Sequence, residues 1–457
     1  MGLSKNQKLT VEIVDLNHLG FGVAKVDGMA VFVAGLVKGD VAQIVLIKVN
    51  ASFAIGKCLS LVKSSPLRVE GRCTVAGCTA CAYRGIGYET ECEIKRQSVV
   101  SAFRKAGLPD VKIGELLHGE RTCGYRNKAQ YPVMKDKNGK IVIGFYAPKS
   151  HFVKEAAACP LSPAVFTEIL EDLRAFFEAY GTSVYDEKTG KGLLRHIYLR
   201  RGEVSHEILL TLVINGEKLP DAEALVALLT GKYPEIVGIL LNVNRENTNV
   251  ILGEKYLPVY GRDHIVDTLC GVELELSAPA FYQVNHDTAE ILYRKARELA
   301  APSGNDCLLD LFCGVGSIGL SMADAVGELI GVEIVPEAVE CAERNAHRAG
   351  IVNARFFAGD ATDTERLLAP AEHALGRKIT PDTVVLDPPR KGCDEKLLDY
   401  VARLSPKKIV YVSCNPETLA RDVAHLAQNG YLPGEVTPVD MFPGTGHVES
   451  VVLMSRA

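Results

Sequence analysis

Hydrophobic and polar positions change rhythm along the chain. In residues 5–62 short runs rich in β-formers, at 8–14, 22–26, 30–33, 41–49 and 53–62, are cut by Gly20, Gly28, Asn50 and the stretch Gly35-Leu36-Val37-Lys38-Gly39-Asp40. Such runs bounded by turn residues predict strands, and five of them suit an OB-like barrel, a common platform for single-stranded nucleic acid. Phe21, Phe32 and Phe53 are candidates to stack on bases, with core positions the favoured alternative. Lys63-Ser64-Ser65-Pro66 reads as a linker. Residues 89–106 have helical composition and stop at Gly107, with Pro109 just beyond. Residues 160–275 mix helices (164–180, 221–232) with strands (197–201, 208–213, 238–244). From about Pro279 strand and helix patterns alternate, which predicts a parallel sheet. The expected fold class is therefore α/β: an N-terminal β-barrel (1–62), an α+β middle (63–275) and a C-terminal doubly wound, Rossmann-like domain (276–457).

Composition narrows the class. With 47% hydrophobic and 23% charged residues in 457, the chain reads as an ordinary soluble protein of two or three domains. No run approaches the roughly 18 apolar residues of a membrane span, and the first residues form no signal peptide, so a cytoplasmic protein is expected. Thirteen cysteines without an export signal point to metal binding or catalysis rather than disulfides. The net charge of −5 is unevenly spread: residues 95–160 hold thirteen Lys/Arg against five Asp/Glu, residues 161–457 twenty-eight against forty-three. A basic middle on an acidic protein suggests a polyanionic partner. Arg121, Arg126, Lys128, Lys135, Lys137 and Lys140 are the expected phosphate contacts.

The run Leu308-Leu309-Asp310-Leu311-Phe312-Cys313-Gly314-Val315-Gly316 reads as a strand entering a glycine turn. Its spacing, D-x-x-x-G-x-G, is typical of S-adenosylmethionine enzymes and differs from the dinucleotide fingerprint. Two further strands end in carboxylates: Glu333, about twenty residues on, is placed to accept hydrogen bonds from ribose hydroxyls, and Asp360 to reach the adenine. Asp387-Pro388-Pro389-Arg390 resembles a methyltransferase's substrate-side loop, and Ser413-Cys414-Asn415-Pro416 sets a thiol at a strand end. In a doubly wound sheet that edge is where ligands bind.

A thiolate has a specific use there. Uracil C5 is a weak nucleophile; a thiolate adding to C6 turns the ring into an enolate whose C5 attacks an electrophilic methyl group. Cys414 is the candidate nucleophile, its thiol expected near the ordinary pKa of about 8.5. A base must then remove the C5 proton, and Glu449 in Gly446-His447-Val448-Glu449-Ser450 is the candidate.

On these residues the chain resembles the RNA (uracil-5-)-methyltransferase family, specifically its bacterial 23S rRNA 5-methyluridine members, over almost its whole length. Gly124-Tyr125-Arg126-Asn127-Lys128-Ala129-Gln130, Gly144-Phe145-Tyr146 and Phe281-Tyr282-Gln283-Val284-Asn285 add to the match. The resemblance implies that the first domain is a TRAM module, an RNA-binding barrel. It implies Cys414 as nucleophile and Glu449 as base, with S-adenosylmethionine held by Gln283, Phe312, Ser317, Glu333, Asp360 and Asp387. It also implies a [4Fe–4S] cluster on Cys73, Cys78, Cys81 and Cys159. Zinc and free thiols are the alternatives for these four, and Cys92 and Cys123 are competing ligands. The expected substrate is 23S rRNA at a single-stranded or loop uridine, with tRNA and a non-catalytic rRNA-binding assembly role as alternatives; no obligate protein partner is implied. Cytosine-5 enzymes carry Pro-Cys or Thr-Cys where Ser413-Cys414 stands, and amino-group methyltransferases need no nucleophile.

Overall fold

The computed structural model describes all residues except 1, 18, 72, 74, 76, 77, 79, 148, 149 and 365. At the N-terminus a six-stranded sheet runs in the order Lys8–Glu12, Val41–Val49, Phe53–Lys63, Met29–Ala34, Phe21–Val26, Asp15–Leu16. Within Val41–Val49, Ala42, Ile44 and Leu46 point inward, the period-two burial that a half-buried strand requires. Phe21, Phe32 and Phe53 are half-buried and outside the barrel's core. The expectation that some of them are core is thus corrected. Phe32 and Phe53 meet edge to face with centroids 5.7 Å apart, because their strands pair in parallel and set Ala30 opposite Phe53.

A seven-stranded sheet fills the middle of the chain. Its strands are antiparallel neighbours except Ile208–Ile214 and Ile236–Val243, which pair in parallel and are joined across helix Ala222–Lys232. Helix Ala164–Ala179 buries Phe166, Ile169, Leu170, Leu173 and Phe177 in this sheet's core, at the spacing of one helix face.

The C-terminal sheet runs in the order Ala354–Ala358, Glu328–Glu333, Cys307–Leu311, Thr383–Leu386, Lys408–Ser413, Glu449–Arg456, Tyr431–Pro433. The first five strands are parallel and almost continuously apolar, as burial on both faces demands. From Cys307–Leu311 the chain winds outward through Glu328–Glu333, then returns to the opposite side at Thr383–Leu386. That reversal opens a crevice at the carboxyl ends of Leu311 and Leu386, the position where doubly wound sheets bind ligands. Helix Tyr88–Lys105, though it lies in the middle of the chain, buries Val99, Ala102 and Phe103 in this domain's core. Isolated bridges Ile113↔Val436 and Leu117↔Val439 bind the following segment to the same domain. Among the described residues no helix is long and apolar enough to cross a membrane.

Candidate active site

The glycine turn leaves strand Cys307–Leu311 through Phe312, which has φ +64°, an uncommon conformation for a residue with a side chain. Gly314 and Gly316 follow at φ +54° and +83°. A Cβ placed on Gly314 would meet nothing within 4 Å, so its backbone borders open space that a ligand can occupy. The turn is held from beneath. Asp310 is fully buried, and its Oδ2 accepts from the Gly319 amide at 2.9 Å. Burial raises its pKa to about 8, and the charges of Asp387 and Glu333 add to the rise.

Glu333 ends the neighbouring strand, where Oε2 accepts from the Gly314 amide at 3.1 Å and Oε1 from Val335 at 3.0 Å. Each carboxylate oxygen keeps a lone pair for a ligand hydroxyl. Asp360 is exposed just beyond strand Ala354–Ala358, its Oδ1 accepting from the Thr362 amide and hydroxyl at 2.8 Å. Ser317 opens the short helix after the turn and shares a 3.0 Å hydrogen bond with the Tyr293 hydroxyl. Gln283 is buried, and its backbone carbonyl accepts from Asn127 Nδ2 at 2.8 Å. The crevice thus has a backbone cradle, two strand-end carboxylates and hydroxyls, which fit an adenosyl group.

Asp387 follows strand Thr383–Leu386 across the crevice, and burial pushes its carboxyl up to about 7. The loop behind it is clamped by helix Pro416–Gln428. Asn415, the cap of that helix, accepts from the Glu417 amide at 3.0 Å and donates through Nδ2 to the Arg390 carbonyl at 3.0 Å. Arg421 donates to the Lys391 and Cys393 carbonyls, and Asp422 accepts from the Cys393 amide at 2.9 Å.

Cys414 leaves strand Lys408–Ser413, which pairs antiparallel with Glu449–Arg456 so that Ser413 faces Ser450. One step further along that register, Cys414 and Glu449 are neighbours, 35 positions apart in sequence. Cys414 is half-buried and opens on a cavity of about 700 Å³, lined also by Arg390, His447, Asn17 and Lys38. Barrel residues therefore share the wall of the cavity that holds the thiol. Burial raises Cys414 to about 11, the carboxyls of Glu449 and Asp387 add to the rise, and Arg390 opposes it. The thiol is thus held above its ordinary value, which corrects the expectation drawn from the residue alone. Glu449, 3% exposed, is raised to about 8 by burial and by Asp387, with Arg390 again opposing.

Other expected residues are placed as follows. Cys73, Cys78, Cys81 and Cys159 converge: burial, then Cys159, Cys73 and Cys78, raise the Cys81 thiol to about 12. Cys73, Cys81 and Cys123 also line one cavity. Among the described residues no group of three or more His, Cys, Asp or Glu is set to hold a single metal ion, and no disulfide joins the cysteines. Arg121 is paired within the protein, at 2.8 Å from both Asp287 and Glu203. Lys128 is drawn into the protein, where burial and then Arg200 and Arg126 lower its pKa to about 8. Lys135, Lys137 and Lys140 remain exposed. The sequence reading missed Tyr293 and Asp422, whose partners are 24 and 29 residues away and leave no local signal.

A switch-point crevice with a glycine cradle and carboxylate-tipped strands defines a methyltransferase that uses S-adenosylmethionine. Residues 236–457 match the family model tRNA (Uracil-5-)-methyltransferase, and residues 3–59 match the TRAM domain. Curated relatives include an uncharacterized RNA methyltransferase of Bacillus cereus, 40% identical over 99% of this chain and 98% of its own. Another from Clostridium tetani is 37% identical over 99% and 97%. The chain belongs to the RNA uracil-5-methyltransferase family. Among solved structures it is similar to Pyrococcus abyssi tRNA (uracil-54, C5)-methyltransferase in complex with S-adenosyl-L-homocysteine. That likeness has a TM-score of 0.77 and 28% identity, and covers 97% of this chain and 99% of the other. Because it covers 97% of this chain, the N-terminal barrel does not by itself separate ribosomal from transfer RNA enzymes.

Proposed function

We propose that this enzyme methylates C5 of a uridine presented by 23S rRNA, in the cytoplasm, with Cys414 as nucleophile and Glu449 as base. The observation that carries the mechanism is the strand register that sets this thiol beside this buried carboxyl. The uracil enters the cavity at Cys414, and a flipped or single-stranded base is the form that can reach it. The Cys414 thiolate forms a bond to C6 and pushes the electron pair of C5=C6 into an enolate. S-adenosylmethionine, held by Gln283, Phe312, Ser317, Glu333, Asp360 and Asp387, supplies the electrophilic methyl group. Glu449 then takes the C5 proton, C5=C6 re-forms, and the Cys414 thiolate leaves. A carboxyl raised to about 8 suits that step, because as carboxylate it holds the abstracted proton firmly. Arg390, whose charge opposes both upward shifts, stabilises thiolate and carboxylate alike.

We propose further that Cys73, Cys78, Cys81 and Cys159 hold a [4Fe–4S] cluster with a structural or RNA-binding role, since methyl transfer needs no electron. Burial and then the neighbouring thiols push Cys81 up, and Cys73 and Cys78 also add to the rise of Cys159, so thiols gathered this closely suit a cationic iron centre. An anaerobic preparation should be brown with about four irons per chain; stoichiometric zinc would refute the cluster.

The ribosomal substrate follows the family resemblance; the likeness to the Pyrococcus abyssi enzyme favours tRNA as the second reading. Methylation of unmodified total bacterial RNA with labelled S-adenosylmethionine, mapped by nuclease digestion and mass spectrometry, decides between them. 5-Methyluridine confined to large-subunit rRNA is expected. The same product in tRNA would overturn the substrate and keep the mechanism, and no 5-methyluridine at all would overturn both.

A further inference from the structure

Glu91, Lys95 and Asp440 are buried together, at 3%, 1% and 0% exposure. Lys95 Nζ donates to Glu91 Oε1 at 2.5 Å, Asp440 Oδ1 at 2.7 Å and the Phe442 carbonyl at 3.1 Å. Glu91 Oε1 also accepts from the Gly444 amide at 2.6 Å, and Asp440 Oδ2 accepts from the Tyr88 hydroxyl at 2.8 Å. Burying three charged groups costs solvation, and an apolar trio of similar volume is often at least as stable. What these groups do that an apolar trio could not is fix backbone: among the described residues their side-chain hydrogen bonds beyond the triad land on the loop 440–447 or on the helix that carries Lys95, and the Lys95 ammonium also lies 5.8 Å from the centre of the Tyr83 ring.

That loop joins two sites. Toward the cysteines, the Gly444 carbonyl accepts from the Tyr83 amide at 3.1 Å, and a Cβ on Gly444 would lie 3.9 Å from Cys81 Sγ. The Tyr125 hydroxyl donates to the Pro443 carbonyl at 2.9 Å from the same side. Toward the reaction, Thr445 folds back on Phe442, and His447 reaches within 3.4 Å of Arg390 at the wall of the Cys414 cavity. Two residues later the chain enters the strand that begins at Glu449.

We infer that Lys95 is a positioning residue for catalysis: its ammonium fixes the 440–447 loop between the Cys81–Tyr83 segment and the Cys414 cavity, and so aligns Glu449 with the base bound at Cys414. This rests on the proposed role of Glu449 as the base. It also gives the cysteine segment a mechanical connection to the reaction that involves no electron transfer.

The test separates addition from elimination, using the full-length holoenzyme. Lys95→Met should form a covalent adduct with 5-fluorouridine RNA at near the native rate. Its turnover on uridine RNA should fall about 10²-fold, as expected of a misplaced catalytic group, while a methylated protein–RNA adduct accumulates. Asp440→Asn, which keeps the side-chain shape, should show the same split in milder form and serves if Lys95→Met does not fold. Native turnover, or an equal loss of adduct formation and turnover in whichever variant folds, would overturn the inference, since a merely structural role lowers both together. Glu449→Gln is run alongside: if it accumulates no methylated adduct, the assignment of Glu449 as base fails on its own account.

Discussion

Ser413 and Ser450 face each other across an antiparallel pair of strands, and this register places Cys414 beside Glu449 at the edge of the sheet. Asp387 raises both groups of the pair and Arg390 opposes both, while burial pushes Cys414, Glu449 and Asp387 alike toward their protonated forms. The chemistry proposed for the site is a matter of when each of those protons moves.

Removing the two groups should have different consequences. Cys414→Ala should abolish covalent adducts with 5-fluorouracil RNA and turnover together. Glu449→Gln should slow turnover by about 10²–10⁴-fold and let methylated adduct accumulate on uridine RNA. Gel-shift under denaturing conditions with mass spectrometry reads both. Turnover by Cys414→Ala near the native rate would sink the mechanism.

The pH profile follows from the upward shift of Glu449. In the proposed step the carboxylate is the active form and titrates near 8, so kcat should climb about tenfold per unit below that value and level above it. A rate that is flat from about pH 6.5 to about pH 8.5 would exclude this step as limiting. Stability runs the other way. Unfolded, Glu449 titrates near its ordinary value of about 4.3; folded, near 8, so the native state binds the extra proton and loses stability as pH rises through that window. The slope is up to about 1.4 kcal/mol per pH unit. Glu449→Gln removes it, so its Tm advantage over the native protein should widen between about pH 5 and pH 8.

Donor charge should be felt at Cys414. Its thiol is held near 11 by burial and by two carboxyls, and a cation bound in the neighbouring crevice would offset them. Iodoacetamide should therefore alkylate Cys414 up to about tenfold faster with S-adenosylmethionine than with neutral S-adenosylhomocysteine at one pH, as peptide mapping would show. Equal rates would mean that the crevice and the thiol are electrostatically independent.

RNA affinity should depend on salt in part through the exposed lysines Lys135, Lys137 and Lys140. Replacing Lys135, Lys137 and Lys140 with Ala should flatten the slope of log K against log salt by about two to three, whereas Arg121→Ala should leave the slope unchanged, because Arg121 is already paired with Asp287 and Glu203. A slope that responds to Arg121→Ala would place that residue on the RNA after all.

Much of the framework around this crevice is legible in the sequence. Strand ends carry their signal locally: the apolar run before Ser413-Cys414 and the runs before Phe312 and Asp387 announce buried parallel strands, and residues just beyond such strands lie at the ligand edge. The predicted strand at 41–49 coincides with Val41–Val49, because period-two burial needs only neighbouring residues to be recognised. What only the tertiary structure decided depends on partners far apart in sequence. No local pattern says that Arg121 will meet Asp287 166 positions on, or that helix Tyr88–Lys105 will pack on the C-terminal sheet. Nor does residue type say that Cys414 will be held near 11, since desolvation and the charges of Glu449 and Asp387 exist only once the strands are assembled. The sequence by itself determined which groups follow the buried strands and on which edge they stand. Folding determined their protonation and their distances, because both are set by what surrounds a side chain in space.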